Sequence, residues 1–318
     1  MKGIILRIES KDFYVYSEEI SEIIRCSLRG KFKQEYKLKK DKLYRMDIAA
    51  VGDIVHFDML NDKSGAIHKI EERTNYISRK APRIKGAGYR GERLEQIIAS
   101  NLDNVCIVSS VAEPAFNNKV IDRFLVIAES SNLNSLIIIN KIDLGEDKQI
   151  NEWVKLYKSV GYVVFETSAV TGAGLTSLKN FLLTKTNIFL GKSGVGKSSL
   201  LNKMYSNLNL NTGEVSRQTD RGIHTTVTSI MMNVKENTYV IDTPGIREID
   251  PYGIRKEDLG HYFIEFKEHL PGCRFNTCTH QHEPGCAVIE AVEKNKISIE
   301  RYESYLKLLE TVEEDIIF

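Results

Sequence analysis

Thr186-Asn187-Ile188-Phe189-Leu190 leads into Gly191-Lys192-Ser193-Gly194-Val195-Gly196-Lys197-Ser198-Ser199, and Leu200-Leu201-Asn202-Lys203-Met204 follows. The first five residues are an apolar run of strand length and the last group reads as a helix. Between them stands G-x-x-x-x-G-K-S, a phosphate-binding loop. Gly191, Gly194 and Gly196 allow backbone N–H groups to turn inward around phosphate oxygens, and the helix N-terminus adds its partial positive charge. In such a loop Lys197 reaches the β- and γ-phosphates and the Ser198 hydroxyl ligates Mg2+. This strand–loop–helix unit predicts an α/β nucleotide-binding fold, with a nucleoside triphosphate and Mg2+ as ligands.

Upstream of this loop the chain has already passed Asn140-Lys141-Ile142-Asp143, the guanine-reading pattern N-K-x-D. In ordinary GTPases that motif lies downstream, so both halves of a GTP site occur here in permuted order. The motif closes the apolar run Ser135 to Ile139, at the strand end where open α/β sheets bind ligands. The Asp143 carboxylate can accept from guanine N1–H and the exocyclic amine. Adenine has no donors there, so Asp143 selects GTP over ATP. Asn140 is expected to brace the loop, and the Lys141 stem to cover the base. A second strand, Tyr162 to Phe165, runs toward Ser168-Ala169, similar to the S-A loop whose backbone N–H meets guanine O6.

After the phosphate loop, Thr238 to Ile241 ends in Asp242-Thr243-Pro244-Gly245, a D-x-x-G motif. Asp242 is expected to hold Mg2+ through water, and the Gly245 N–H to sense the γ-phosphate. The polar stretch Gln218 to Thr226 reads as a switch loop, with Thr225 or Thr226 supplying a second Mg2+ hydroxyl and Thr225 favoured. Ile246 stands where Ras-type GTPases place a water-orienting Gln. An alkyl chain cannot position water, so slow intrinsic hydrolysis is expected. His224, or a group ordered by a partner, is the candidate for that role.

Cys273-x4-Cys278-x-His280-x5-Cys286 gathers three thiols and an imidazole in one short loop, a donor set suited to one structural, tetrahedral Zn2+. His282 competes with His280, and Fe2+ remains an alternative ion. Four ligands leave no open position, which argues for a structural metal. Cys26 and Cys106 are isolated, and Cys106 sits in the apolar run Val105 to Val108. An odd cysteine count without a signal peptide predicts a reducing, cytoplasmic setting.

The 318 residues suit two or three domains, and 42% hydrophobic with 27% charged residues is ordinary globular composition. No apolar run is long enough for a membrane span. Net charge is only +1, but its distribution is uneven. Residues 25–45 hold nine Lys/Arg against two acids, and residues 69–93 hold eight against three. With Tyr36, Tyr44, Tyr76 and Tyr89 nearby, this suits a phosphate backbone. Short strands at Lys2 to Ile8, Phe13 to Tyr16, Glu22 to Ser27 and Ile54 to Leu60 predict a small barrel of the OB type. From Asn101, strands alternate with helices, as in a mostly parallel, doubly wound sheet. The predicted division is an OB-fold RNA-binding domain at 1–72, a basic linker at 73–100, a circularly permuted P-loop GTPase domain at 101–247 and a helical zinc-binding domain at 248–318. In the last, Ser298 is expected to cap a helix with Tyr302, Leu306 and Leu309 on one face.

Taken together, these motifs resemble the RsgA family, the circularly permuted small ribosomal subunit biogenesis GTPases, over nearly the whole chain. The resemblance rests on Asn140 to Asp143, Gly191 to Ser199, His224-Thr225-Thr226, Asp242 to Gly245 and the Cys273/Cys278/His280/Cys286 set. Asp122-Arg123-Phe124-Leu125 also looks like the family. Asp220 and Ile223 depart from the family's usual G-R-G-R-H-T-T and remove a positive charge from the switch loop. The resemblance implies a monomeric cytoplasmic GTPase that binds the small (30S) subunit late in assembly and hydrolyses GTP to GDP faster there. Its barrel would contact rRNA. The alternative is an RNA-binding or chaperone module whose GTP site acts only as an affinity switch.

Overall fold

The computed structural model of the chain describes residues 1–30, 48–61, 63–80, 95–145, 147–210, 229–243 and 253–312. The amino-terminal strands are β1 (Lys2–Glu9), β2 (Asp12–Ser17), β3 (Glu22–Leu28), β4 (Ile54–Asn61) and β5 (Ser64–Ile70). They close into a barrel in the order β1-β2-β3-β5-β4, the OB arrangement anticipated from the sequence. Period-2 alternation sends Phe13 and Val15 inward with Ile5, Ile24, Val55, Phe57 and Ile67, while Tyr14 and Tyr16 face outward. Strand β5 escaped the sequence reading because Ser64-Gly65-Ala66 carries no β-branched or aromatic signal. It is built by pairing with β3 and β4.

The stretch read as a basic linker contains two strands, β6 (Tyr76–Lys80) and β7 (Glu95–Ser100), paired antiparallel. Their charged and polar residues masked them, yet Ile77, Ile98 and Ala99 are buried in the α/β core. The fully buried Asp53, in the turn before β4, fastens barrel to ribbon. It accepts from Arg73 Nε and Nη2 at 2.7 Å each, from Ser100 Oγ at 2.6 Å and from the Ala50 N–H at 2.8 Å.

The central sheet holds β8 (Asn104–Ser110), β9 (Asn134–Asn140), β10 (Val163–Glu166), β11 (Thr186–Leu190), β12 (Ile230–Lys235) and β13 (Thr238–Asp242). Its order is β10-β9-β8-β11-β13-β12, parallel except for β12 at the edge. The helices among these strands are α1 (Asn118–Ser130), α2 (Lys148–Val160), α3 (Leu175–Leu182) and α4 (Lys197–Met204). Asn117 and Asp147 cap α1 and α2 by accepting backbone N–H bonds. Strand β8 shows why the central sheet has a core on each face. Val105 and Ile107 face α1 and α2, whereas Cys106 and Val108 face α3 and α4. Burial pushes the Cys106 thiol far above its ordinary value, as fits a core residue. Strand β11 lies between β8 and β13, with β9 one place further. The permuted chain therefore delivers its phosphate loop and its N-K-x-D motif to the same C-terminal end of the parallel strands.

Beyond residue 253 come 3-10 turns at Leu259–Tyr262, Ile264–Phe266 and Leu270–Gly272, then α5 (Ala287–Glu293) and α6 (Ile299–Thr311). Ser298 caps α6, as expected. The buried face of α6 includes Leu309, as expected, and is wider than the anticipated one. Arg301, Ser304, Tyr305, Leu308 and Leu309 are buried, while Tyr302 and Leu306 are only partly so. Hydrophobic periodicity does not count an arginine as core. Here Arg301, 1% exposed, pairs with the fully buried Asp122 on α1 and donates to Glu265 at 2.6 and 3.1 Å. The Tyr157 hydroxyl donates to the same Asp122 oxygen at 2.8 Å. This polar knot joins the carboxy-terminal region to the sheet domain. Among the described residues, no helix is long and apolar enough to cross a membrane.

Candidate nucleotide site and metal cluster

The base half forms where β9 and β10 end. Lys141 adopts a left-handed backbone (φ 63°), which turns Ile142–Leu144 into a 3-10 turn and leaves the Asp143 side chain exposed. The Ser168 hydroxyl donates to Asp143 Oδ1 and itself accepts the Val170 and Thr171 N–H groups at 3.2 and 3.0 Å. Ser168 thus orients the carboxylate, and Ala169 follows it half-buried in the same turn. The Thr167 N–H donates to the Ile139 carbonyl at 2.8 Å and the Ile142 N–H to the Thr167 carbonyl at 3.2 Å. These bonds hold the two loops side by side.

Asn140 links this half to the phosphate loop, since its Nδ2 donates to the Val195 carbonyl at 2.9 Å. Gly196 is required at that contact. Its φ is +96°, and a Cβ there would meet Asn140 Nδ2 at 2.3 Å. In the loop Val195 is buried, Gly191 lies against β8, Ser193 and Gly194 are exposed, and Lys192, Ser198 and Ser199 are half-buried. The Lys197 amine donates to the Gly191 and Lys192 carbonyls at 2.8 and 3.2 Å. Burial pulls the Lys197 pKa down, opposed by Asp242; burial likewise pushes Asp242 up, opposed by Lys197. Asp242 Oδ1 is buried and has no hydrogen-bond partner among the described residues, a demand that the hydration shell of a cation would meet. Thr243 was not singled out in the sequence. Its hydroxyl donates to the Phe189 carbonyl at 2.9 Å and pins the D-x-x-G strand end to the strand that carries the phosphate loop. His224, Thr225 and Gly245 lie outside the described residues, as do Thr226 and most of both basic stretches.

The sequence reading also missed the turn after β8. The Lys141 amine donates to the Glu113 carbonyl, the Ser110 hydroxyl donates to the Pro114 carbonyl at 2.8 Å, and the Val111 N–H donates to the Asn140 carbonyl at 3.0 Å. A Cβ built on Gly194 would lie 3.3 Å from Pro114 Cδ. Pro114 after a strand was the one local hint of this turn.

The metal cluster is held by the 3-10 turns, α5 and α6. The ligand atoms of Cys273, Cys278, His280 and Cys286 all lie within 4.8 Å of one another. Cys273 Sγ is 3.6 Å from His280 Nδ1 and 3.9 Å from Cys286 Sγ, and His280 Nδ1 is 3.3 Å from Cys286 Sγ. A tetrahedron of sulfur and nitrogen around one ion has edges of about 3.3–3.8 Å, so the set fits a single metal ion. His280 is buried in the cluster, whereas His282 is exposed. The imidazole has room because residue 260 is glycine; a Cβ there would meet His280 Nε2 at 2.7 Å. Tyr302 and Tyr305 on α6 donate to the His280 and Thr279 carbonyls at 2.7 and 2.6 Å. Glu283 accepts the Thr279, Gln281 and His282 N–H groups at 2.6, 3.0 and 3.2 Å. Burial pushes the Cys278 thiol up to about 12 and raises that of Cys286, a preference that a bound cation reverses. Stripping metal with a chelator is expected to lower the melting temperature by about 10 °C or more, the size a loss of several kcal/mol gives a domain this large. Thiol titration should rise in step, and an unchanged melting curve after verified metal removal would refute the structural role.

A G-x-x-x-x-G-K-S loop and an N-K-x-D loop, delivered in permuted order to the C-terminal ends of parallel strands in one doubly wound sheet, define a circularly permuted GTPase. The model of the family described as RsgA GTPase matches residues 70–252, and that of the RsgA N-terminal domain matches residues 2–67. The chain belongs to the RsgA GTPase family, a family of GTP-hydrolysing enzymes. It is 41% identical over 272 residues to a protein of Chlorobaculum parvum named small ribosomal subunit biogenesis GTPase RsgA, covering 84% of this chain and 86% of that one. A Bacteroides thetaiotaomicron protein, small ribosomal subunit biogenesis GTPase RsgA 2, is 36% identical over 317 residues and 99% and 98% of the two chains. Among solved structures, YjeQ from Thermotoga maritima superposes with a TM-score of 0.76 at 33% identity, covering 98% of both chains. The circularly permuted GTPase YloQ gives 0.71 at 29% identity, over 98% and 94%.

Proposed function

We propose that this chain hydrolyses GTP while bound to the small ribosomal subunit and assists the subunit's late maturation in the cytoplasm. The observation that carries the reading is the Asn140–Val195 bond, which joins an Asp143–Ser168 base reader to a phosphate loop. The names of its relatives supply the subunit as partner. In this reading Asp143 accepts from guanine, the Lys141 stem lies along the base and Ser168-Ala169 close its edge. The backbone from Gly191 to Ser199 wraps the phosphates, and Lys197 places its charge against the β- and γ-oxygens. Mg2+, when bound, would supply neutralisation of the phosphate charge. Ser198, Asp242 and Thr225 are its proposed ligands, directly or through water. His224 is proposed to orient the attacking water, and Gly245 to report the γ-phosphate.

The Cys273/Cys278/His280/Cys286 set suits Zn2+ by its soft thiolate donors. We divide the chain into a barrel at 1–72 that contacts rRNA, a basic connection at 73–100, a GTPase domain at 101–247 and a zinc domain at 248–318, acting as a monomer. GTP turnover should be slow alone and rise at least about tenfold with purified small subunits, as expected when a partner completes the catalytic set. Equal turnover with and without subunits, together with equal cosedimentation in GDP and a non-hydrolysable GTP analogue, would reject the reading.

A further inference from the structure

The turn from Ser110 to Pro114 belongs to none of the GTPase motifs, yet it touches both halves of the nucleotide site. Its Glu113 carbonyl takes the Lys141 amine, and its Pro114 ring lies beside Gly194. The turn is itself held by two bonds, Ser110 Oγ to the Pro114 carbonyl at 2.8 Å and the Val111 N–H to the Asn140 carbonyl at 3.0 Å. Ser110 is 1% exposed, so its hydroxyl is not there for solvent. A lysine in a left-handed backbone whose amine is captured by the Glu113 carbonyl has its four-carbon stem tethered at both ends. An untethered stem would lose that rotamer order and would have to pay for it again on binding the base.

We infer that Ser110 is a positioning residue for nucleotide affinity: by fixing the Glu113–Pro114 turn it stretches Lys141 along the guanine-binding edge. The inference rests on the base placement proposed above. Ser110 touches no reacting phosphate, so it sets how tightly guanine nucleotides are held and leaves the bond-breaking step alone. It acts through Lys141, which makes the two residues energetically dependent.

The test is a double-mutant cycle on the full chain, reading GDP and GTP dissociation constants, KM and kcat at saturating GTP. Ser110→Ala is expected to raise the dissociation constants and KM about five- to tenfold, the cost of losing one buried hydrogen bond, with kcat unchanged. In a Lys141→Ala background the same change should add less than about twofold. Ser110→Thr, which keeps the hydroxyl, should restore most of the affinity. A fall in kcat at constant KM, additive effects in the cycle, or no change from Ser110→Ala beside a large effect of Lys141→Ala would each overturn the inference while leaving the base placement standing. No effect of Lys141→Ala on guanine nucleotides would instead overturn the placement itself.

Discussion

Lys197→Ala is expected to reduce GTP hydrolysis at saturating nucleotide by on the order of a hundred- to thousandfold, the loss seen when a preorganised charge aimed at a developing oxyanion is removed. The argument starts from burial. The amine is held inside the loop, donating to the Gly191 and Lys192 carbonyls, and the Asp242 charge opposes the effect of its burial. A cation kept partly out of water acts on phosphate oxygens with little competing solvation. The substitution should weaken GTP more than GDP, because the lost charge is also expected to serve the γ-phosphate, which GDP lacks. It also leaves Asp242, already pushed upward by burial, without its positive neighbour. Single-turnover hydrolysis checks the rate, and circular dichroism checks that the sheet remains. Turnover within threefold of the native protein would remove the phosphate-loop assignment.

The second large effect concerns stability. Arg301→Met should cost about 3–5 kcal/mol, because it leaves Asp122 buried with its charge uncompensated. Asp122 has no solvent exposure, and burial already raises its pKa against the opposing pull of Arg301. Without Arg301 that rise grows, so the folded variant binds a proton more tightly than the unfolded chain. Stability then falls as pH rises from the ordinary carboxylate value up to the raised folded value, and recovers on acidification. Urea unfolding at pH 5 and pH 8 should therefore show a smaller deficit at pH 5. The double substitution Asp122→Leu with Arg301→Met should regain part of the loss, since it removes the stranded Asp122 carboxylate and leaves only Glu265 without its guanidinium partner. An equal deficit at both pH values would show that lost packing, not the stranded carboxylate, sets the cost. In the native protein the knot connects α1, which follows the Ser110–Pro114 turn, to α6, whose Tyr302 and Tyr305 hold the metal loop.

Much of this architecture was legible in the sequence because it is written in local patterns. Continuous apolar runs marked β8, β9, β11 and β13, since strands covered on both faces need no alternation. Glycine, lysine and serine at fixed offsets marked the phosphate loop, and cysteine density marked the metal loop. Strands β5, β6 and β7 were missed for the same reason inverted. Ser64-Gly65-Ala66 and Arg79-Lys80 look like loop, and only pairing with distant strands makes them extended. The buried face of α6 was only partly legible because it includes an arginine, whose burial is decided by carboxylates outside its own helix.

Taken alone, the sequence determined the permuted order of the GTP motifs, the doubly wound sheet, the barrel and the cysteine-rich loop. Each of these depends on residue types at short, fixed spacing. Tertiary structure decided which polar groups meet. It put Arg301 on Asp122 and Glu265, Asp53 on Arg73, Lys141 on the Glu113 carbonyl, and His280 rather than His282 among the thiols. A buried polar group must find a partner, but nothing in its own stretch of chain says where that partner lies. Only the fold brings residues as distant as Asp122 and Arg301 into contact.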